Sequence, residues 1–93
     1  MTKSNNQEEI ITPDHQIDIT ELICPMTFVR TKLLLEKIAV GEVLEVRLKG
    51  EEPLHNVPRS TRQHGHTILS LDPEGGEQGP EGIHRLLIRK ESV

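Results

Sequence analysis

The stretch "ELICPMTFVRTKLLLEKI", residues 21–38, sets a turn, a thiol and an amphipathic helix in a row. Proline favours the first helical position, where its missing N–H would have had no partner anyway. Pro25 therefore predicts a helix start and puts Cys24 at the N-cap. The helix is expected to run to about Ala39, with Lys37 in the last turn, where the dipole favours a cation, and Gly41 as a stop just beyond. On a helical wheel Phe28, Leu34, Leu35 and Ile38 share one broad face with Thr31, the natural side to lay on a sheet. Met26, Val29 and Leu33 form a second apolar stripe, set apart by Arg30 and Lys37 on one side and Lys32 and Glu36 on the other.

Strands are legible on both sides of this helix. "QIDI", 16–19, alternates polar and apolar residues. "EVLEVRLKG", 42–50, alternates strictly, with Leu44, Val46 and Leu48 on the side to be buried. "EPLHNVPRSTRQHG", 52–65, reads as a second helix in which Pro53 suits the first turn and Gly65 the stop. Pro58 interrupts that pattern, so its regular part is expected to begin near Pro58, after an irregular turn. "HTILSL", 66–71, and "IHRLLIRK", 83–90, are two more strands, joined by the Gly-, Pro- and Glu-rich loop 72–82. The order βαβαββ predicts an α+β fold: a two-layer α/β sandwich with a four-stranded mixed sheet and two helices on one face. A right-handed crossover would carry the first helix onto that sheet. Residues 1–14 are expected to be a flexible leader, and 15–93 a single domain.

Composition excludes several classes of function. The 93 residues include one Phe and no Trp or Tyr, so the core must be aliphatic. A net charge of −4 with scattered Lys and Arg offers no basic stripe, and Phe28 alone is no stacking platform, so no direct nucleic-acid partner is expected. No apolar run exceeds three residues and the start of the chain has no apolar signal segment, so no membrane partner is expected. A single Cys rules out an internal disulfide framework and a cysteine-based zinc cluster; a lone thiol suits the reducing cytoplasm. The alternation His64-Gly65-His66 raises a small metal-binding module. Gly65 as helix stop sends the two imidazoles to different elements, so these histidines are read as exposed, and no metal and no cofactor are expected.

The chemistry therefore rests on Cys24. A helix N-terminus carries unsatisfied N–H groups and roughly half a positive charge. A sulfur placed there is stabilised as the anion, which lowers a thiol pKa from about 8.5 into roughly the 3.5–7.5 range. The backbone N–H groups of Met26 and Thr27 are the expected anion stabilisers, and Arg30 and Lys32 one turn on add positive field. Physics alone leaves a second reading open, that Cys24 is a small buried hydrophobe. With no resolving thiol, a reactive Cys24 cannot complete an internal redox cycle, which favours a carrier over a self-contained catalyst.

Cys24-Pro25 before a helix, "LICP" at 22–25, "GEVLEV" at 41–46, Glu52-Pro53, "NVPRS" at 56–60 and the closing "LLIRK" together resemble the TusA-type (SirA-like) sulfur-carrier family. The resemblance covers about residues 15–90. It implies a persulfide carrier in which Cys24 takes sulfur from a donor such as a cysteine desulfurase and passes it to a downstream acceptor protein. The chain is expected to be a monomer. The family signature is Cys-Pro-x-Pro, and here Thr27 stands in the fourth place, restoring an N–H that proline lacks. Val29, Arg30 and Leu33 are the candidate docking residues; the other reading of this stripe is that the leader or the second helix covers it. The alternative function is a non-catalytic regulatory or protein-interaction domain that retains the fold.

Overall fold

A computed structural model describes residues 12–23, 26–75 and 82–91. Cys24 and Pro25, most of the expected leader and residues 76–81 of the expected loop lie outside the described residues, and so does the expected N-cap. The elements are β1 (His15–Asp18), α1 (Met26–Lys37), β2 (Val43–Leu48), α2 (Glu51–Gln63), β3 (Thr67–Pro73) and β4 (His84–Arg89). They form one mixed sheet in the order β1-β2-β4-β3. β1 runs parallel to β2, and the β2–β4 and β4–β3 pairs are antiparallel.

Period-two patterning decides which side of the sheet the helices take. Leu44, Val46 and Leu48 of β2 are fully buried, and so are Leu86 and Ile88 of β4, which lie in register with Val46 and Leu44. Leu35 and Ile38 on and just after α1, Val57 of α2 and Ile19 complete this aliphatic core. The expected sandwich is therefore the observed one, with both helices on a single face. The opposite face is polar: Arg47 pairs with Asp18 and Glu74, and Arg85 with Glu74 and Glu45.

The parallel β1–β2 pair is fixed at its start by side chains. Asp14 Oδ2 accepts the Val43 N–H at 2.9 Å, and His15 Nε2 lies 2.8 Å from Glu42 Oε1. The same Glu42 oxygen accepts the Ala39 N–H at 2.9 Å just past α1, which ends at Lys37 rather than near Ala39. α1 gains an unusual terminus from the far strand. Lys90, only 4% exposed, donates its Nζ to the carbonyls of Ile38 (2.7 Å) and Glu36 (3.4 Å). A cation there satisfies orphan carbonyls and opposes the negative end of the dipole.

α2 departs from the sequence reading. It is continuous from Glu51, seven positions before the expected regular start, and Pro58 lies inside it. Gly50, at φ 104°, makes the entry, and the first turn carries Glu51 and Glu52, favoured at a positive helix end. Pro53 falls among the first four residues, whose N–H groups have no helical partner in any case. Pro58 removes one internal bond, to the Leu54 carbonyl, at a cost of about 3 kcal/mol. Val57, Pro58 and Thr61 are all buried against the core, and that burial outweighs the interruption. The helix ends as expected: Gly65, at φ 93°, donates to Arg62 O at 2.9 Å and His66 to Thr61 O at 3.2 Å, the paired bonds of a Schellman stop.

β3 holds one irregularity. Ile68 pairs with Ile88 but Ser70 pairs with Leu87, so Leu69 is the extra residue of a β-bulge. The bulge shifts the alternation, turning Ser70 to the polar face and Leu71 toward the helices' side. β3 also runs two residues further than expected and closes on Pro73, tolerated because β3 is an edge strand.

Candidate functional site at the mouth of the first helix

The first turn of α1 is built from buried threonines. Thr27 and Thr31 are fully buried, and Thr31 Oγ1 donates to the Thr27 carbonyl at 2.9 Å. Residue 27 therefore belongs to the interior wall of the helix and not to its solvent face. The Met26 N–H donates to the Ile23 carbonyl at 2.8 Å, so this expected anion donor already closes a turn. No acid occupies the first turn of α1, which leaves the positive end of the dipole unopposed by its own helix. Lys32, one turn on, is paired with Glu36 at 2.8 Å, whereas Arg30 is exposed and has no acid within salt-bridge distance among the described residues.

An apolar strip runs out from this mouth. Ile23 is 79% exposed, Met26 46%, Val29 36% and Leu33 47%. The structure thus brings together the three docking residues expected from the sequence, Val29, Arg30 and Leu33, on one open flank of α1. α2 does not cover them. It packs instead on the Phe28 side, where the rings of Phe28 and His64 lie 5.3 Å apart.

That α1–α2 side holds a cleft of about 130 Å³ lined by Phe28, Leu35, Thr61, His64 and His66, with Lys32 and Glu36 at its rim. The histidines are more engaged than expected. His64 is exposed but donates its Nδ1–H to the Ser60 carbonyl at 2.9 Å, while half-buried His66 accepts the Glu91 N–H at Nδ1, 3.1 Å. No group of three metal-ligating side chains occurs among the described residues. Burial, then the Lys90 and His64 charges, push the His66 pKa below its ordinary value.

Carboxylates at the strand ends shift in a matching sense. Glu74 is held low by the Arg47 hydrogen bond and then by Arg85, Asp18 by the Thr20 hydroxyl and N–H, Glu91 by the Thr67 hydroxyl and then Arg89. A depressed pKa contributes stability that is present above the unfolded value and lost as pH falls through the folded one. His66 titrates first, so the urea midpoint is expected to begin falling just below pH 6.5 and to fall further below about pH 4.5 as the carboxylates protonate. His66→Asn keeps an acceptor near the Glu91 N–H and should remove the first step alone. A midpoint flat from pH 7 to pH 5 in the parent would contradict this assignment.

The sequence profile of the family described as "Sulfurtransferase TusA" matches residues 15–90. A "Putative sulfur carrier protein" of Archaeoglobus fulgidus is 40% identical over 68 residues, covering 73% of this chain and 77% of its own length. "Putative sulfur carrier protein YedF" of Escherichia coli is 32% identical over 65 residues, covering 70% and 84%. The crystal structure of a SirA-like protein from Desulfitobacterium hafniense superposes with a TM-score of 0.69 at 18% identity, over 84% of this chain and 99% of that one. That likeness speaks to the fold, and the profile with the relatives speaks to descent: the chain belongs to the TusA sulfurtransferase family.

Proposed function

We propose that the protein is a cytoplasmic persulfide carrier with Cys24 as the acceptor. The observation that carries this reading is the family's Cys-Pro pair standing immediately before α1, a helix whose first turn holds no acid. The Cys24 thiolate attacks the outer sulfur of a donor persulfide, forming a new S–S bond. The donor's own S–S bond breaks, and its electron pair leaves on the donor cysteine as thiolate. Release is the same exchange in reverse: an acceptor thiolate attacks the outer sulfur of the Cys24 persulfide and regenerates the Cys24 thiolate. Each step moves one sulfur between anions, so no external oxidant or reductant is consumed. Pro25 sets the helix start, and the positive end of α1, with the N–H of Thr27 near it in sequence, favours the anion at both stages. Donor and acceptor dock transiently on the open strip of Val29, Arg30 and Leu33.

Incubation with a cysteine desulfurase and cysteine, followed by intact mass measurement, tests the reading. A one-sulfur increment that disappears in Cys24→Ser is the expected result. No increment with any donor would instead assign the chain to the non-catalytic regulatory or protein-interaction class.

Residue 27 carries a separate expectation. Thr27→Pro removes a backbone N–H from the first turn of α1, so the thiol pKa of the variant should rise, by about one unit if a single hydrogen bond's worth of about 1.4 kcal/mol is lost. Following thiolate absorbance against pH measures it, and an unchanged or lower value would show that Thr27 is only a packing residue.

A further inference from the structure

The cleft of about 130 Å³ between α1 and α2 contains a polar group that the fold leaves unused. Thr61 lines it and is fully buried, and its Oγ1 has no hydrogen-bond partner among the described residues. A helical threonine commonly donates to a carbonyl three or four residues back, as the equally buried Thr31 does to Thr27. Thr61 makes no such bond, and a buried hydroxyl without a partner is costly to keep. His66 stands beside it, its backbone N–H donating to the Thr61 carbonyl at 3.2 Å. Because His66 Nδ1 accepts the Glu91 N–H, the neutral ring carries its proton on Nε2. That second donor has no acceptor among the described residues either.

The charge around the cleft is positive on balance. Lys32 and Glu36 at the rim pair at 2.8 Å and offset each other. Lys90 is 4% exposed, its Nζ serves only the Glu36 and Ile38 carbonyls, and no carboxylate lies within salt-bridge distance of it among the described residues. Its field reaches both walls. Burial and then Lys90 hold the His66 pKa down, ahead of the opposing Glu91; the Lys32 hydrogen bond and, more weakly, Lys90 hold Glu36 low. Phe28 and Leu35 supply the apolar part of the lining. A cavity of about 150 Å³ holds benzene, so this space suits about six heavy atoms.

We propose that the cleft binds a short-chain monocarboxylate, whose oxygens accept from the Thr61 hydroxyl and the His66 Nε2–H and whose chain rests on Phe28 and Leu35. Two donors to the anion and the Lys90 field offset its partial desolvation. Thr61 Oγ1 is shielded from solvent, so entry requires the cover to move. His64 is that cover: its ring is exposed and leans on Phe28, 5.3 Å between centroids. The strip of Val29, Arg30 and Leu33 lies on the other flank of α1 and stays open, so the cleft is independent of the carrier chemistry.

The test titrates the isotope-labelled full chain with sodium butyrate, against sodium chloride at the same ionic strength. Saturable shifts are expected at the amides of Phe28, Thr61, His64 and His66, with β1 unmoved. Butyramide, the uncharged isostere, should bind at least about tenfold more weakly, because its hydrogen bonds carry no charge. Thr61→Val keeps the shape of the side chain and removes the hydroxyl. It should melt no lower than the parent, since the lost group had no partner, yet bind butyrate at least about tenfold more weakly. A lower melting temperature would show that the hydroxyl is bonded within the protein, and parent-like affinity would show that the ligand does not use it. Either result would overturn the proposal. Equal binding of butyramide, shifts that chloride reproduces, or no saturable shift at all would do the same.

Discussion

Leu86→Ala is expected to cost about 2–5 kcal/mol, a large part of the roughly 5–15 kcal/mol that holds a domain of this size together. Leu86 is fully buried on β4, a central strand, in register with Val46 on one side and Leu71 on the other. Truncation removes apolar contact and leaves a cavity that a two-layer fold with so few core residues has little means to refill. At about 4–8 °C per kcal/mol for domains of 60–100 residues, the melting temperature should fall by at least about 8 °C. Leu71→Ala makes the natural control, because Leu71 faces the same side from the edge strand but is 36% exposed. It should cost under about 1 kcal/mol. Equal losses at the two positions would mean that the core is not centred on β4.

Lys90→Met should lower stability by about 1.5–3 kcal/mol, the range for hydrogen bonds to a charged group. The methionine keeps the aliphatic stem, so the loss reports the ammonium alone. What disappears is the donor that serves the Ile38 and Glu36 carbonyls at the end of α1. The main-chain bonds of residue 90, from the Gly41 N–H and to the Glu42 carbonyl, remain and hold the strand end in place. Hydrogen exchange should therefore quicken first in the last turn of α1 and hardly at all in β4. Uniform acceleration over both elements, or no change in stability, would contradict a local capping role.

These two residues show what the sequence discloses and what it hides. Leu86 follows from alternation: 86, 88 and 90 share a parity along β4 and the residue just after it, and two of the three are aliphatic. The same parity puts Lys90 on the buried side. Period alone cannot say what a buried lysine would bond to, because its acceptors sit more than fifty residues away, at the end of α1 and just beyond it. Pro58 misleads for a related reason. Its local penalty is visible in the sequence, whereas the burial of Val57, Pro58 and Thr61 that offsets it depends on the sheet beneath. Of the candidate site, the apolar strip Met26, Val29 and Leu33 is legible by helical spacing, and its exposure is not, since that turns on α2 taking the Phe28 side. His66 was hidden by its partner: the Glu91 N–H that it accepts lies at the far end of β4, twenty-five residues on.

The bulge at Leu69 has a consequence for how this chain tolerates insertions and deletions. Its extra residue resets the face presented by everything after it in β3. Losing Leu69 would restore plain alternation without moving the register, leaving Ser70 against Leu87 on the polar face and Leu71 against Leu86 on the helices' side. Loss of one residue at this point therefore preserves the two sides of the strand, whereas the same loss in its regularly alternating part exchanges them. Among descendants of this sequence, single-residue losses within β3 should thus fall at the bulge, and other single-residue changes in the connections between elements.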